Sequence, residues 1–241
     1  MFAKLRGEGF LVAYARLPVT DEQSPIPVTY NLIEERVTSA VAAHGSFANM
    51  SWVFNCQMGR GRTTTGMIAA ALVANILHSP LSAEQLLNPA EASGAGGAAD
   101  PAALTWETHA WDGREAEPFL AGEYKVTLQL VGVLQYGRAA KRLADRAIDA
   151  MEAVQNLRRA VYDFKLRAEA APPGSAKHRK IFEVALNYLY RLCTLYIFAN
   201  FLLEKKVAIE AAVEGAGAWR FQDWMAGRRE ISHTLGRRTL D

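Results

Sequence analysis

Val53-Phe54-Asn55-Cys56-Gln57-Met58-Gly59-Arg60-Gly61-Arg62-Thr63-Thr64-Thr65-Gly66 is the stretch on which the reading of this chain turns. It reads as a short apolar strand, a glycine-containing loop, and a helix running from about Arg62 to Leu77. A cysteine leads the loop, an arginine closes it six positions later, and three threonines follow. Backbone N–H groups of Gln57, Met58, Gly59, Arg60, Gly61 and Arg62 can turn inward as an anion nest, to which the helix N-terminus adds its partial positive charge. Arg62 supplies a planar, two-pronged donor for phosphate oxygens, and Gly59 and Gly61 permit backbone angles that a side chain resists. Cys56 must ionise to act as a nucleophile. An ordinary thiol is only about 3% thiolate at pH 7, so the nest has to favour the anion. A Walker loop is excluded because no lysine is present, and a dinucleotide fingerprint because Thr64 stands where a glycine is needed.

Working outward, Phe10 to Ala15 reads as a buried strand and Arg16 to Thr29 as a loop broken by Pro18, Pro25 and Pro27. Tyr30 to His44 carries apolar residues at helical spacing and stops at Gly45. Ser51 to Asn55 then forms the second strand. Strand, helix and strand in this order predict a crossover unit with parallel, adjacent strands, so the loop at Leu17–Glu22 should face the loop at Cys56–Arg62. Asp21 becomes a candidate general acid. A turn-forming aspartate is the competing reading of the same residue, and Glu22 could take its place.

Beyond the loop's helix, Ser79 to Ala121 reads as irregular, with an alanine- and glycine-rich stretch at Ala90–Ala99 and with Trp106, Trp111 and Phe119 as packing residues. From Gly122 onward the pattern is helical. One stripe holds Val126, Leu130, Val133 and Leu134, a second runs from about Ala139 to Glu169, and a third from Ile181 to Leu203 follows the Pro172-Pro173-Gly174 break. Cys193 lies in that third stripe and reads as structural. Short helices around Trp219–Ala226 and Arg228–Leu235 close the chain. The expected fold is therefore α/β: a partial parallel sheet of a cysteine-phosphatase-like domain, followed by a mainly helical C-terminal half. It divides into a core over 1–80, an irregular insertion over 81–121 and a helical region over 122–241.

The whole composition limits the function classes. The 241 residues are half hydrophobic and carry a formal net charge of +2, which fits a globular protein and calls for no nucleic acid partner. Two cysteines give no disulfide framework, and a working thiolate fits a reducing cytoplasm. No apolar run is long enough for a transmembrane segment, and the N-terminus lacks a secretion signal. The five histidines show no metal-ligand spacing, and no cofactor is expected.

Several blocks resemble the paladin family, which is related to the cysteine-dependent, tyrosine-phosphatase-like phytases. They are Tyr14-Ala15-Arg16-Leu17-Pro18-Val19-Thr20-Asp21-Glu22-Gln23, the segment from Phe54 to Met67, Gly122-Glu123-Tyr124-Lys125-Val126, Gln155-Asn156-Leu157-Arg158, and the segment from Phe198 to Glu204. The resemblance implies that Cys56 is a nucleophile forming a phosphocysteine, Arg62 the phosphate clamp and Asp21 the general acid. It implies that Thr63 hydrogen-bonds the sulfur, and that Arg16 and Arg60 help hold a multiply charged substrate. Asn55 departs from the histidine usual before the nucleophile in the wider superfamily. Units of the family carry further strands upstream of Phe10, so an N-terminally truncated unit is expected, completed by a missing sheet segment or a tandem repeat. The function expected is a phosphatase that hydrolyses phosphomonoesters through a phosphocysteine. Its substrate would be a phosphotyrosine protein, an inositol phosphate or a phosphoinositide. The alternative is a pseudophosphatase or scaffold that binds phosphorylated ligands without turnover, and a helical protein-contact fragment is the third reading.

Overall fold

The computed structural model describes residues 1–89 and 118–241. Ten α-helices are used below: α1 Phe2–Gly7, α2 Pro27–His44, α3 Gly61–Leu77, α4 Ala83–Leu87, α5 Lys125–Val133, α6 Gly137–Ala150, α7 Leu157–Glu169, α8 Ala176–Glu210, α9 Phe221–Ala226 and α10 Arg229–Gly236. The expected parallel sheet is absent: among the described residues there is no strand, and the architecture is helical. Among the described residues, Phe10–Ala15 and Ser51–Asn55 form no strand ladder with each other or with another segment. Pairing is what turns an extended segment into a strand, and neither has a pairing neighbour among them. Several of their apolar side chains are accordingly exposed, with Leu11 at 95% and Val53 at 89% of full exposure. Val12 is half-buried, and so are Trp52, stacked on Phe47, and Phe54. The Phe54 ring lies against Gly66 of α3, where a methyl group would come within 3.1 Å of it, so the segment before Cys56 rests on a helix and not on a sheet.

The helical readings fare better, with shifted boundaries. Helix α2 begins at Pro27, because proline suits the first helical position and leaves Ile26 extended before it. Gly45, at φ 81°, ends α2 in a conformation glycine adopts without cost. The single helix expected over 139–169 is two. Asn156 interrupts it by capping α7, its side chain accepting from the N–H groups of Arg158 and Arg159. Helix α4, inside the stretch expected to be irregular, is started by a capping box between Ser82 and Gln85. The Ala90–Ala99 stretch, Trp106 and Trp111 lie outside the described residues. Phe119 does pack, tilted against Tyr124 at 5.2 Å between ring centroids and under Lys165.

The 35-residue α8 is the axis of the molecule. Helices α3, α4, α5, α6, α7 and α9 all pack against it, and every residue from 191 to 206 is buried. A helix buried all round has no polar face to spare, so its charged residues need partners. Lys205 ion-pairs with Glu34 of α2, and Glu204 accepts from Asn200, Trp224 and Arg228. Tyr30, Phe198, Phe201, Phe221 and Trp224 form an aromatic cluster joining α2, α8 and α9. These helices hold both loops of the candidate site: α2 follows the loop carrying Asp21, and α3 follows the loop carrying Cys56.

Candidate functional site

The three threonines after Arg62 each have a separate task. Thr64 donates its hydroxyl to the Arg60 carbonyl at 3.1 Å, and its N–H reaches the same oxygen at 2.8 Å. Thr65 donates to the Gly61 carbonyl at 2.7 Å. Both bonds tie the first turn of α3 to the end of the loop. The Thr63 hydroxyl is left for the sulfur of Cys56; it is buried and faces the thiol outside strict hydrogen-bond geometry. Burial raises the Cys56 pKa, and this is the largest single influence. It is outweighed by the Thr63 hydroxyl together with the backbone N–H groups of Thr63, Arg60 and Met58, which bring the thiol down to about 6. At pH 7 such a thiol is about 90% ionised. The cause is a ring of donors aimed at one atom.

Gly59 takes φ 67°, so its lack of a side chain serves the backbone angle, as expected. Gly61 does not share that reason. It lies in the helix, and a methyl there would stand 2.7 Å from Nη1 of Arg191 and 2.9 Å from the Tyr188 hydroxyl. Gly61 is required for close approach, not for φ. Gln57, Met58, Gly59 and Arg60 are exposed, so the face of the loop is open to a ligand. Cys56 itself is partly buried.

Although no crossover unit brings them together, the two loops do meet. Nε of Arg62 lies 3.2 Å from Oδ1 of Asp21, and Nη1 of Arg62 reaches the Val19 carbonyl at 3.5 Å. The same carboxylate oxygen accepts the N–H of Glu22 at 3.1 Å, which is the turn-forming role weighed against the acid role. Asp21 fills both. Glu22 sits at φ 56°, a left-handed conformation uncommon for a residue with a side chain, and it makes no ion pair among the described residues. The loop is pinned at two points: the Thr29 hydroxyl donates to the Pro18 carbonyl at 3.2 Å, and Nη2 of Arg191 to the Gln23 carbonyl at 2.7 Å. Arg16 and Asn55 are exposed, and neither side chain forms a hydrogen bond among the described residues.

Arg191 is the residue that sequence reasoning passed over. It touches both loops from the middle of α8, at 1% exposure. The signal was a lone arginine inside the apolar stripe Leu189, Leu192, Leu195. Cys193, by contrast, is as expected a packing residue: it is fully buried, and burial pushes its thiol up to about 12. Among the described residues no cluster of three or more histidine, cysteine, aspartate or glutamate side chains could hold a metal ion.

Comparison with known proteins shows what the chain is similar to. The family model for PTP-like phytase, described by inositol hexakisphosphate, matches residues 1–74, the part that holds both loops. That part of the chain is similar to the PTP-like phytases. The particular resemblance is to paladins, and it extends over most of the chain. Paladin of Gallus gallus is 26% identical over 234 residues, covering 93% of this chain and 22% of the relative. Paladin of Homo sapiens is 25% identical over 240 residues, covering 93% and 24%, and that of Mus musculus is 24% identical over 251 residues, covering 98% and 25%. The chain thus spans between 22% and 25% of the length of these relatives. No solved structure matches it. No helix among the described residues is long and apolar enough to cross a membrane.

Proposed function

We propose that the chain is a cysteine-dependent phosphatase unit that hydrolyses phosphomonoesters through a phosphocysteine intermediate. The observation that carries this reading is the thiol of Cys56 facing the Met58, Arg60 and Thr63 amides, in a loop whose Arg62 contacts Asp21. In the first step the Cys56 thiolate attacks phosphorus and the P–O bond to the leaving group breaks. Asp21, freed from Arg62 by the substrate and protonated from solvent, gives that proton to the departing alkoxide. In the second step Asp21 takes a proton from water, the hydroxide attacks phosphorus, and the S–P bond breaks to return the thiolate and free phosphate. Thr63 eases that departure by donating to the sulfur. Arg62 holds the phosphate oxygens, and to do so it exchanges the Asp21 carboxylate for the substrate. Substrate binding and release of the acid are then one event. Arg60, exposed on the loop, offers a second cation to a multiply phosphorylated substrate.

The matching family model's description puts inositol hexakisphosphate at the head of a substrate panel that also includes a phosphotyrosine peptide and a phosphoinositide. Phosphate release by the wild type should vanish in Cys56→Ser and fall by about 10²–10⁴-fold in Asp21→Asn. Equal release by the wild type and Cys56→Ser would refute the proposal. A second reading, phosphate-ligand binding without turnover, is favoured by Asn55, which gives Cys56 no hydrogen bond. Tight vanadate binding by both proteins with no release by the wild type would select it.

A further inference from the structure

Arg191 is a cation inside the protein with no direct ion pair, and the carboxylate of Asp21 acts on it only through space. Of its guanidinium nitrogens, Nη2 donates to the Gln23 carbonyl, while Nε and Nη1 have no partner. Its guanidinium lies over the Tyr188 ring with Cζ 4.5 Å from the centroid, and no carboxylate forms an ion pair with it among the described residues. Burying a charge without a partner is costly, and folded proteins retain one only where something else compensates it. Nη1 points at Gly61, the residue on which the anion-binding loop becomes α3. Beside it the Gln155 side-chain oxygen is also buried and unpartnered. The other nitrogen in use holds the loop of the acid. One side chain therefore spans the two loops that the proposed reaction needs at a fixed separation, and brings an unspent positive charge to the anion loop.

We propose that Arg191 is a positioning residue for oxyanion binding: it clamps the Asp21 loop to the Cys56–Arg62 loop, and a phosphate-type dianion seated there compensates its charge. This rests on the phosphate-binding reading of the loop. It also gives Gly61 its purpose, since any side chain there would displace the guanidinium.

The test uses the whole chain, with orthovanadate and inorganic phosphate as probes, measured by calorimetric titration and by thermal melting with and without probe. In Arg191→Met the anion affinity should fall about tenfold or more. Its melting temperature without anion should stay the same or rise, since an uncompensated buried charge has been removed. The rise in melting temperature on adding vanadate should shrink. A residue that merely supports the fold would do the reverse, lowering the anion-free melting temperature and leaving affinity intact; that result overturns the proposal. Should Arg191→Met fail to fold, a cycle built on Gly61→Ala decides. Its methyl crowds the guanidinium, so affinity should drop and then recover in part when Arg191→Lys, with its slimmer end, is added. No recovery overturns the proposal. A wild type that binds neither vanadate nor phosphate refutes the phosphate-loop reading itself, whereas a binding wild type with an unaffected Arg191→Met refutes only the role of Arg191.

Discussion

Cys56 and Cys193 are the same residue in opposite circumstances, and pH separates them. Cys56 faces donors and is held at about 6; Cys193 faces hydrocarbon and is pushed to about 12. Iodoacetamide should therefore label one thiol with a pH midpoint near 6, and Thr63→Val should move that midpoint toward the ordinary thiol value. A midpoint already near 8.5 in the wild type would mean that the ring of donors is not assembled. The same shift enters stability. A thiol whose folded pKa is depressed favours the folded state above its unfolded pKa, and the contribution is lost as pH falls through the folded value. Between about pH 6 and pH 8.5 the wild type should gain stability relative to Cys56→Ser, a difference readable from melting temperatures across that range. The loop of the candidate site was legible because its signal is local: a cysteine, an arginine, threonines and glycines at set spacing in one short stretch. Arg191 was not, since its importance comes from a position across the fold, far away in sequence.

At the scale of elements, what the sequence could show was periodicity, and periodicity cannot show pairing. Tyr30–His44, the helix after Arg62 and the long stripe after Pro173 were readable because their apolar faces repeat at helical intervals. Phe10–Ala15 and Ser51–Asn55 carry strand-like composition, but a strand also needs a pairing neighbour, and neither segment has one among the described residues. Leu11→Ser combined with Val53→Thr should accordingly change unfolding free energy by no more than about 0.5 kcal/mol, as at ordinary surface positions. A larger loss in chemical denaturation would show that the two segments are paired in solution. Asn156→Ala should cost about 1 kcal/mol, because it removes the cap on which α7 starts.

On the scale of the whole molecule, α8 makes the site a property of the entire fold. Its buried Glu204, Lys205 and Lys206 are each matched by an opposite charge, and removing one partner strands the other. Glu34→Ala leaves the Lys205 ammonium buried without its carboxylate and should destabilise the protein by about 3–5 kcal/mol, measured by urea unfolding. The Lys205 ammonium also donates to the Trp219 carbonyl at 2.8 Å, so the same loss should loosen the segment leading into α9.

The central position of α8 has a consequence for the order of events during synthesis. Chain growth produces residues 1–169 first, and with them both loops, but the helix they pack on comes afterwards. Until about Leu203 has emerged, α3 lacks the surface that buries it and Gln23 lacks the arginine that pins it. Between the emergence of Gly66 and that of about Leu203 the nascent chain would carry a complete loop sequence and no assembled pocket. Thiolate reactivity should then switch on late and abruptly, which makes Cys56 alkylation a clock for the completion of folding.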